Sequence, residues 1–307
     1  MNILLTGGRG MVGRNILEHQ GCAAHNFAAP TRAELDLRDR EAVRRYVAAL
    51  RPDLIIHAAG KVGGIQANIA DPVAFLAENL SIGINVVEAA IEAGTPRFLN
   101  IASSCIYPKD HEGTLREDMI LGGYPEPTNE GYALAKISIL RLCQYVSRTH
   151  PALAYKSIIP CNLYGRFDNF DPVSSHLLPS IVHKVSEARR LGQDKIEIWG
   201  DGSARREFMY ASDLADFILQ AIPRFDGLPD IMNVGVGQDH SILQYYETAA
   251  RVLGWTGEFT FDLTKPAGMK AKLLEVSRQR EFGWMPATSI EQGIELAHDF
   301  YLRERVS

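Results

Sequence analysis

Short apolar runs alternate with longer amphipathic stretches through the first half of the chain. The apolar runs predict buried strands at 2–6, 23–29, 53–58, 97–102 and 155–160. A helical spacing of apolar residues predicts helices near 11–20, 40–50, 72–93 and 129–149. Strands that alternate with helices in this way usually form a parallel sheet with helices on both faces. The predicted fold class is therefore α/β, with a doubly wound parallel sheet.

A glycine-rich turn follows the first predicted strand, in a G-x-x-G-x-x-G spacing. Gly7 permits a tight turn, Gly10 lets the backbone approach a phosphate, and Gly13 lets the helix pack closely on the strand. A dinucleotide pyrophosphate then binds the free N–H groups at the helix N-terminus. The turn predicts a Rossmann-type fold, the alternative being a tight turn with no ligand. The candidate cofactor-binding residues here and after the third strand are Gly7, Arg9, Gly10, Met11, Val12, Gly13, Ala58, Ala59 and Gly60.

From about residue 161 the pattern becomes irregular and rich in Asn, Pro, Gly and aromatic residues. We interpret this part as a smaller lobe that is interleaved with the sheet. At 307 residues the chain can hold one large domain or two unequal ones. The predicted division is a Rossmann domain over 1–160 and a mainly substrate-binding lobe over 161–307, with residues from about 205 to 240 returning to the first domain.

The end of the second predicted strand favours NADP(H) over NAD(H). Dinucleotide folds that bind NAD usually place an Asp or Glu there, on the ribose 2′-hydroxyl, and this chain has none at that point. Arg32 follows the strand and Arg9 lies in the glycine turn, and two guanidinium groups suit a 2′-phosphate. Asp36 and Leu37 come a few residues later, where Asp36 can contact adenine. The alternative is that Arg32 is a solvated loop charge.

A tyrosine and a lysine lie four residues apart on the fourth predicted helix, so Tyr132 and Lys136 share one helix face. We count both among the cofactor-binding residues as well as the catalytic ones. A free tyrosine has a pKa near ~10, and we expect the lysine cation to lower the pKa of Tyr132 towards neutrality. Ser103 follows the strand at 97–102, at the sheet edge where such folds bind ligands. These three residues predict acid–base chemistry at a carbonyl, the alternative being a surface pair.

Composition excludes several classes of function. The net charge of −5 and a pI near 6.0 leave no basic surface for nucleic acid. No apolar run in the sequence approaches the ~20 residues of a membrane span, and the first strand begins without a signal peptide. The four cysteines lack C-x-x-C spacing, so we predict neither a metal site nor a disulfide. The expected location is cytoplasmic.

With these motifs the chain resembles the extended short-chain dehydrogenase/reductases, which act mostly on nucleotide sugars, and among them the GDP-L-fucose synthases. The matching segments extend from residue 3 to about 284, nearly the whole chain. They are Lys61-Val62-Gly63-Gly64-Ile65, Ser103-Ser104-Cys105-Ile106-Tyr107-Pro108-Lys109, Glu126-Pro127-Thr128-Asn129-Glu130, Asn162-Leu163-Tyr164-Gly165, Asp168-Asn169-Phe170, Ser175-His176, Trp199-Gly200 and Arg206-Glu207-Phe208.

The resemblance implies that a GDP-4-keto-6-deoxy-sugar is epimerised at C3 and C5 and then reduced at C4 by NADPH. Cys105 and His176 occupy the positions that the family uses for the proton exchange, and thiols and imidazoles suit proton transfer near neutral pH. Tyr132 then protonates the C4 oxygen, supported by Ser103 and Lys136. The substrate-binding candidates by resemblance are Asn162, Trp199, Arg206 and Lys272. A homodimer is implied as well.

The chain departs from the family pattern around the sugar. Ala267 and Ala271 stand where an acid and an arginine are usual, Arg166 and Phe167 replace Pro and His, Asp171 replaces His, and Gly131 replaces Pro. Lost polar groups both enlarge a pocket and remove hydrogen bonds, so the substrate can differ. The alternative function is a C4 reductase without epimerisation, acting on a GDP-4-keto-6-deoxy-heptose for surface polysaccharide.

Two further classes are less favoured. A sugar-nucleotide 4-epimerase or 4,6-dehydratase retains NAD, and such dehydratases carry an Asp-Glu pair where this chain has Ser104-Cys105. A non-catalytic NADP sensor does not require Tyr132 and Lys136, which are both present.

Overall fold

A computed structural model describes residues 1–111, 113–171, 175–265 and 269–306 of the chain. The strands are β1 (Asn2–Thr6), β2 (Asn26–Ala28), β3 (Leu54–His57), β4 (Arg97–Ile101), β5 (Ala154–Pro160), β6 (Asn162–Tyr164), β7 (Lys195–Trp199), β8 (Arg205–Arg206), β9 (Phe208–Tyr210), β10 (Ile231–Val234), β11 (His240–Ser241) and β12 (Glu258–Asp262). The helices are α1 (Met11–Glu18), α2 (Arg40–Leu50), α3 (Ile65–Ala70), α4 (Pro72–Glu92), α5 (Glu130–Thr149), α6 (Leu177–Leu191), α7 (Ala211–Ala221), α8 (Ile242–Leu253), α9 (Ser277–Glu281) and α10 (Ile290–Val306).

The main sheet is parallel and has six strands in the order β10-β5-β4-β3-β1-β2. This confirms the predicted Rossmann-type α/β fold. The strand order reverses between β1 and β3, where Thr6 pairs with His57. In open parallel sheets, ligands bind at the carboxyl ends of the strands beside such a reversal. The glycine turn after β1 and the small-residue turn after β3 both lie there.

The second strand is shorter than predicted. Only Asn26–Ala28 pairs with β1, and Gln20–Ala24 forms a 3₁₀ helix instead. The imidazole Nδ1 of His19 accepts the N–H of Gly21 at 3.1 Å and so caps this 3₁₀ helix. The apolar residues Cys22, Ala23 and Ala24 therefore lie in a capped 3₁₀ helix and not in the strand.

Alternate residues of the central strands face opposite sides of the sheet, because side chains in a strand have a period of two. Ile3, Leu5, Leu54 and Ile56 enter the core on one face. Leu4, Ile55, Phe98 and Tyr155 enter the core on the other, beneath α2, α4 and α5. Both faces of the sheet are therefore buried, and ligands can bind at the carboxyl ends of the strands.

Helix α4 begins and ends where the sequence predicts, but it is more apolar than expected. Among the described residues it is the one helix that meets the length and hydropathy criteria for a membrane span, with a mean hydropathy of 1.4. Of the apolar 18-residue stretch of α4 that meets these criteria, 44% is buried inside the protein. The helix packs against α2 and α5 over the sheet, as core helices do.

A second core forms around α6, α8 and α10 with the paired strands β7 and β12. Strand β6 lies outside the main sheet and pairs with β9. Further along the chain, α7 packs in the first core and β10 pairs with β5 in the main sheet. The division near residue 160 stays a prediction.

Candidate functional site

The glycine turn fits a dinucleotide pyrophosphate. Gly7 has a φ of +76°, and a Cβ there would lie 2.7 Å from the backbone nitrogen of Ala59. A Cβ at Gly13 would lie 2.3 Å from the carbonyl oxygen of Gly7. Gly10 is the N-cap of α1 and has no side chain to accept the first N–H groups of the helix. The turn after β3 therefore packs against this one, and the N-terminus of α1 presents free donors to an anion.

Arginines surround the loop after β2. Arg32 is 70% exposed, and its Nε lies 4.0 Å from Oδ2 of Asp36. Arg38, which the sequence analysis did not select, donates from Nη2 to the same oxygen at 2.6 Å. This hydrogen bond is the main reason why the pKa of Asp36 falls to about 2. Leu37 lies beside it, and its carbonyl accepts the amide of Asn85 at 2.9 Å. The loop thus holds an ionised acid between two cations near Arg9.

The predicted catalytic residues meet at the carboxyl edge of the sheet. Lys136 donates from Nζ to the carbonyl of Ile101, the last residue of β4, at 2.9 Å. Its ammonium lies 5.7 Å from the ring centroid of Tyr132, one helical turn away on α5. Ser103 lies two residues beyond β4, and its hydroxyl forms a hydrogen bond with Tyr132. The tyrosine ring packs edge-on against Phe75.

The predicted direction of the tyrosine pKa is wrong for this structure. Burial raises the pKa of Tyr132 well above its ordinary value, and the electrostatic interaction with Cys105 adds to it. The hydrogen bond with Ser103 acts in the opposite direction but does not outweigh burial. Burial also lowers the pKa of Lys136, to about 8. Desolvation is therefore the largest influence on the pKa values of both groups.

Buried polar residues that the sequence analysis missed lie behind Lys136. His57, Asn79 and Asn100 line a cavity of about 10 Å³ that also contacts the lysine. Burial and the lysine charge lower the pKa of His57 to about 3, so its imidazole is neutral. Its Nδ1 lies 2.9 Å from the hydroxyl of Thr6. The sequence signal was a histidine at the end of an otherwise apolar strand.

Cys105 and His176 lie at the same cleft. Cys105 is 7% exposed, and its Sγ is 3.0 Å from Oγ of Ser103. His176 is the N-cap of α6. Solvent reaches part of the His176 side chain, but many protein atoms surround the ring. The resulting desolvation lowers the pKa of His176, and the positive charge of Lys272 lowers it further. Lys272 interacts electrostatically with the thiol of Cys105 as well as with the imidazole of His176, so all three side chains belong to one neighbourhood.

Two desolvated cations, Arg206 and Lys272, lie near each other in the C-terminal part of the chain. Burial is the largest cause that lowers the pKa of both Arg206 and Lys272, and their mutual repulsion further lowers that of Lys272. Arg206 donates from Nη1 to the carbonyls of Arg205 at 2.7 Å and Met269 at 2.6 Å. Within the described residues neither cation forms a salt bridge, although Glu126 lies near enough to act on both. Desolvated cations without a paired carboxylate favour a bound anion.

Asn162 and Trp199, the other two substrate-binding candidates, lie on β6 and β7. Asn162 donates from Nδ2 to the carbonyl of Glu207 at 2.9 Å. Trp199 ends β7 and is 48% exposed, with the ammonium groups of Lys184 and Lys265 at 5.9 and 5.5 Å from its ring. A cavity of about 360 Å³ begins at the next residue, lined by Gly200, Asp201, Ser203, Ala204, Leu263, Lys265 and Lys270. All of these residues belong to the C-terminal part of the chain, and Tyr132 is not among them.

Residues 3–235 match the NAD dependent epimerase/dehydratase family. The chain belongs to this family. It is 48% identical over 305 residues to the GDP-L-colitose synthase of Yersinia pseudotuberculosis, with 99% of each chain covered. It is also 48% identical over 300 residues to the GDP-L-fucose synthase of Azorhizobium caulinodans, covering 98% of this chain and 96% of the relative. These relatives confirm the resemblance that the motifs indicate.

Among solved structures, MlghC of Campylobacter jejuni, a GDP-mannoheptose C4 reductase with NADP bound, is 25% identical. It superposes with a TM-score of 0.88 and covers 98% of both chains. Its fold extends over the C-terminal lobe as well as the Rossmann domain. Both lobes described above therefore belong to one architecture of nucleotide-sugar reductases.

The departures from the family pattern mostly contact protein rather than the cleft. Arg166 pairs with Glu18 at 2.5 Å, and Phe167 lies with its ring centroid 3.7 Å from the guanidinium of Arg14. Both contacts attach the loop after β6 to α1. A Cβ at Gly131 would lie 2.8 Å from the carbonyl of Pro72, so the glycine permits close packing of α5 on α4. Ala267 lies outside the described residues.

Proposed function

We propose that the chain is an NADPH-dependent reductase of a GDP-4-keto-6-deoxy-sugar that also epimerises C3 and C5. The observation that carries the proposal is the thiol of Cys105 at 3.0 Å from the hydroxyl of Ser103, beside Tyr132. A substrate carbonyl bound by Ser103 for the reduction would then lie beside a group that can exchange protons. The cofactor residues are those of the glycine turn, with Arg9, Arg32 and Arg38 around the 2′-phosphate.

In the reduction, the residues polarise and protonate the C4 oxygen. NADPH, when bound at the glycine turn, supplies the hydride. Ser103 donates a hydrogen bond to the substrate oxygen, and Tyr132 transfers its phenolic proton to that oxygen. The raised pKa of Tyr132 suits this direction, because the group must hold a proton before it donates one. The ammonium of Lys136 then stabilises the phenolate that remains.

In the epimerisation, the 4-keto group acidifies the C–H bonds at C3 and C5. One of the pair Cys105 and His176 removes a proton from one face of the ring, and the other returns one to the opposite face. The lowered pKa of His176 keeps its imidazole neutral at pH 7, so it can accept a proton.

The diphosphate is held by Arg206 and Lys272, while Asn162 contacts the sugar end. The base lies towards Trp199, whose exposed ring offers a stacking surface. A homodimer and a cytoplasmic location are the expected assembly and setting. The two relatives at 48% identity bear the names of different product sugars, and the solved neighbour acts on a heptose, so the sugar is decided by experiment.

The test incubates the protein with NADPH in deuterated water and offers three substrates: the 4-keto precursors of GDP-L-fucose and GDP-L-colitose, and GDP-4-keto-6-deoxy-heptose. Stoichiometric NADPH oxidation with deuterium at an epimerised carbon is expected. A product reduced at C4 without deuterium contradicts epimerisation, and where only the heptose gives that product the protein is the alternative, a heptose C4 reductase without epimerisation. Recycling of NAD without net oxidation of NADPH contradicts the proposal and favours an NAD-retaining epimerase.

Two variants separate the steps. Tyr132→Phe is expected to slow reduction by roughly 10²–10⁴-fold, the usual contribution of a general acid, while deuterium exchange continues. Cys105→Ser is expected to lose exchange with reduction largely retained. Equal loss of both steps in both variants would contradict separate roles for the two residues.

A further inference from the structure

A buried carboxylate that these steps do not use lies directly behind the substrate-binding cations. Glu207 is 1% exposed and follows Arg206, the last residue of β8. Removing a carboxylate from water is costly unless hydrogen bonds replace its hydration. The partners of this side chain therefore show what the burial achieves.

The carboxylate of Glu207 joins its own segment to two others through backbone N–H groups. Oε1 accepts the N–H of Val236 at 2.6 Å and that of Gly237 at 2.7 Å, in the loop after β10. Oε2 accepts the N–H of Leu274 at 2.8 Å. One side chain thus fixes the distance between β8, the carboxyl end of the main sheet and the segment around residue 274.

The segments joined in this way bear the substrate-binding residues. Arg206 precedes Glu207, and Lys272 lies two residues before Leu274. The guanidinium of Arg206 also reaches the carbonyl of Met269 on the Lys272 segment. Asn162 donates to the backbone carbonyl of Glu207 itself, at 2.9 Å. The carboxylate therefore links the two segments that bear Arg206 and Lys272, and Asn162 contacts the backbone of the same residue.

Gly235 shows that the backbone is built around the carboxylate. A Cβ at Gly235 would lie 2.4 Å from Oε1 of Glu207, which is closer than real Cβ contacts allow. The backbone of Gly235 is held in turn by the side chain of Gln279, which accepts its N–H at 2.7 Å and donates to its carbonyl at 2.9 Å. The close approach therefore requires glycine.

We propose that Glu207 is a positioning residue that assembles the diphosphate-binding site, by holding Arg206 and Lys272 in one geometry against the sheet edge. This assignment rests on the proposed function, because it concerns the site of the GDP moiety. It acts on substrate affinity rather than on proton transfer, since the carboxylate faces backbone and not the cleft.

The proposal implies a pH dependence of substrate binding. Burial raises the pKa of Glu207 to about 7, against the lowering effect of its three backbone hydrogen bonds. The carboxylate of Asp239 raises it further, and Cys161 and Tyr245 are the other titratable groups that interact with it. A protonated oxygen gives up part of its capacity to accept, so the segments separate. We expect the KM for the GDP-sugar to rise as the pH falls below about 7.

Glu207→Gln tests the role. The amide keeps the shape of the side chain, but its NH2 group replaces one of the two oxygens and faces a backbone N–H that it cannot accept. The expected result is a KM for the GDP-sugar, and a Kd for GDP alone by calorimetry, raised about tenfold, with kcat and the Kd of NADPH nearly unchanged. The acid rise in KM disappears in this variant. A Kd for GDP equal to that of the wild type would overturn the positioning role.

Glu117→Gln is the matched control. Glu117 is also a buried carboxylate, 7% exposed, and it accepts the N–H of Asn233 on β10 at 2.8 Å. It touches neither substrate cation, so its variant loses stability without a change in KM. An equal rise in KM for Glu117→Gln would show a merely structural effect and overturn the proposal.

Gly235→Ala gives a second route, since it displaces the carboxylate without changing its charge, and we expect the same rise in KM. An unchanged KM in this variant, correctly folded, would also contradict the role. The two proposals fail differently. A wild-type protein that binds GDP but reduces no 4-keto sugar refutes the proposed function alone, whereas tight GDP binding by Glu207→Gln refutes the positioning role alone.

Discussion

At the scale of single residues, burial is the largest influence on the pKa values of Tyr132 and Lys136. The spacing of Tyr132 and Lys136 put both on one helix face, and the structure brings them together with Ser103. The direction of the tyrosine pKa was wrong because the motif shows a neighbouring charge and not the packing of Phe75 and the sheet edge around it. Desolvation is a property of the folded surroundings, and it has no signature in a five-residue motif.

The pH profile of kcat tests this balance at Lys136. Its pKa is about 8, so the ammonium is lost as the pH rises through 8, and the phenolate of Tyr132 then lacks a countercharge. We expect kcat for the reduction to fall above pH 8. The phenol itself does not explain such a fall, because its pKa is raised beyond the ordinary value. In Lys136→Met the residual activity should show no fall near pH 8; a fall that persists there would assign it to another group.

At the scale of elements, the alternation of apolar runs and helical periods was enough for β1, β3, β4, β5 and their helices. These elements follow each other in sequence and bury both faces of one sheet. The C-terminal lobe was less readable, because β8 and β11 have two residues each and obtain their pairing from distant segments. Glu207 was missed for the same reason. Its partners are backbone N–H groups, which any residue at 236, 237 or 274 except proline would supply.

The entry to α1 is an element whose geometry the glycines determine. In Gly13→Ala the new Cβ meets the backbone of Gly7 at 2.3 Å and that of Gly8 at 2.6 Å, and backbone cannot rotate away. We expect the Kd for NADPH to rise at least about tenfold and the unfolding free energy to fall by ~1–3 kcal/mol. Gly227→Ala is the control, because a Cβ there meets nothing within 4 Å. Fluorescence titration with NADPH and thermal unfolding measure both; equal affinities in the two variants would contradict a tight glycine turn.

At the scale of the whole molecule, the loop after β6 connects the two lobes. The carbonyl of Arg166 accepts the amide of Asn15 at 3.2 Å, and its guanidinium pairs with Glu18, so α1 and the loop move together. Phe167 adopts a φ of +67°, a conformation that is unfavourable for an aromatic residue, and it packs against Phe300 of α10. The next residue, Asp168, has a buried Oδ2 with no hydrogen-bond partner among the described residues. This loop therefore contains an unfavourable backbone conformation at Phe167 and a carboxylate at Asp168 whose burial is unfavourable when it is ionised.

Global unfolding should report the cost of that carboxylate. Burial raises the pKa of Asp168 from 3.8 to about 7, so the folded protein binds this proton more tightly than the unfolded chain does. The resulting stability is complete below pH 3.8 and is lost as the pH rises through 7. Asp168→Asn removes the titration while keeping the shape. The unfolding free energy of the variant minus that of the wild type should therefore increase by about 1.4 kcal/mol for each pH unit between 4 and 7.

Denaturant unfolding of the wild type and Asp168→Asn at half-unit steps from pH 4.5 to 8 measures this difference. The comparison of variant with wild type is essential, because buried imidazoles have the opposite effect. The pKa of His57 falls to about 3, so its contribution to stability grows as the pH rises to 6.5. It cancels between two proteins that share it. If the Asp168→Asn difference were independent of pH, the carboxylate would be solvated, and the junction loop would not pack against α1 and α10 as described.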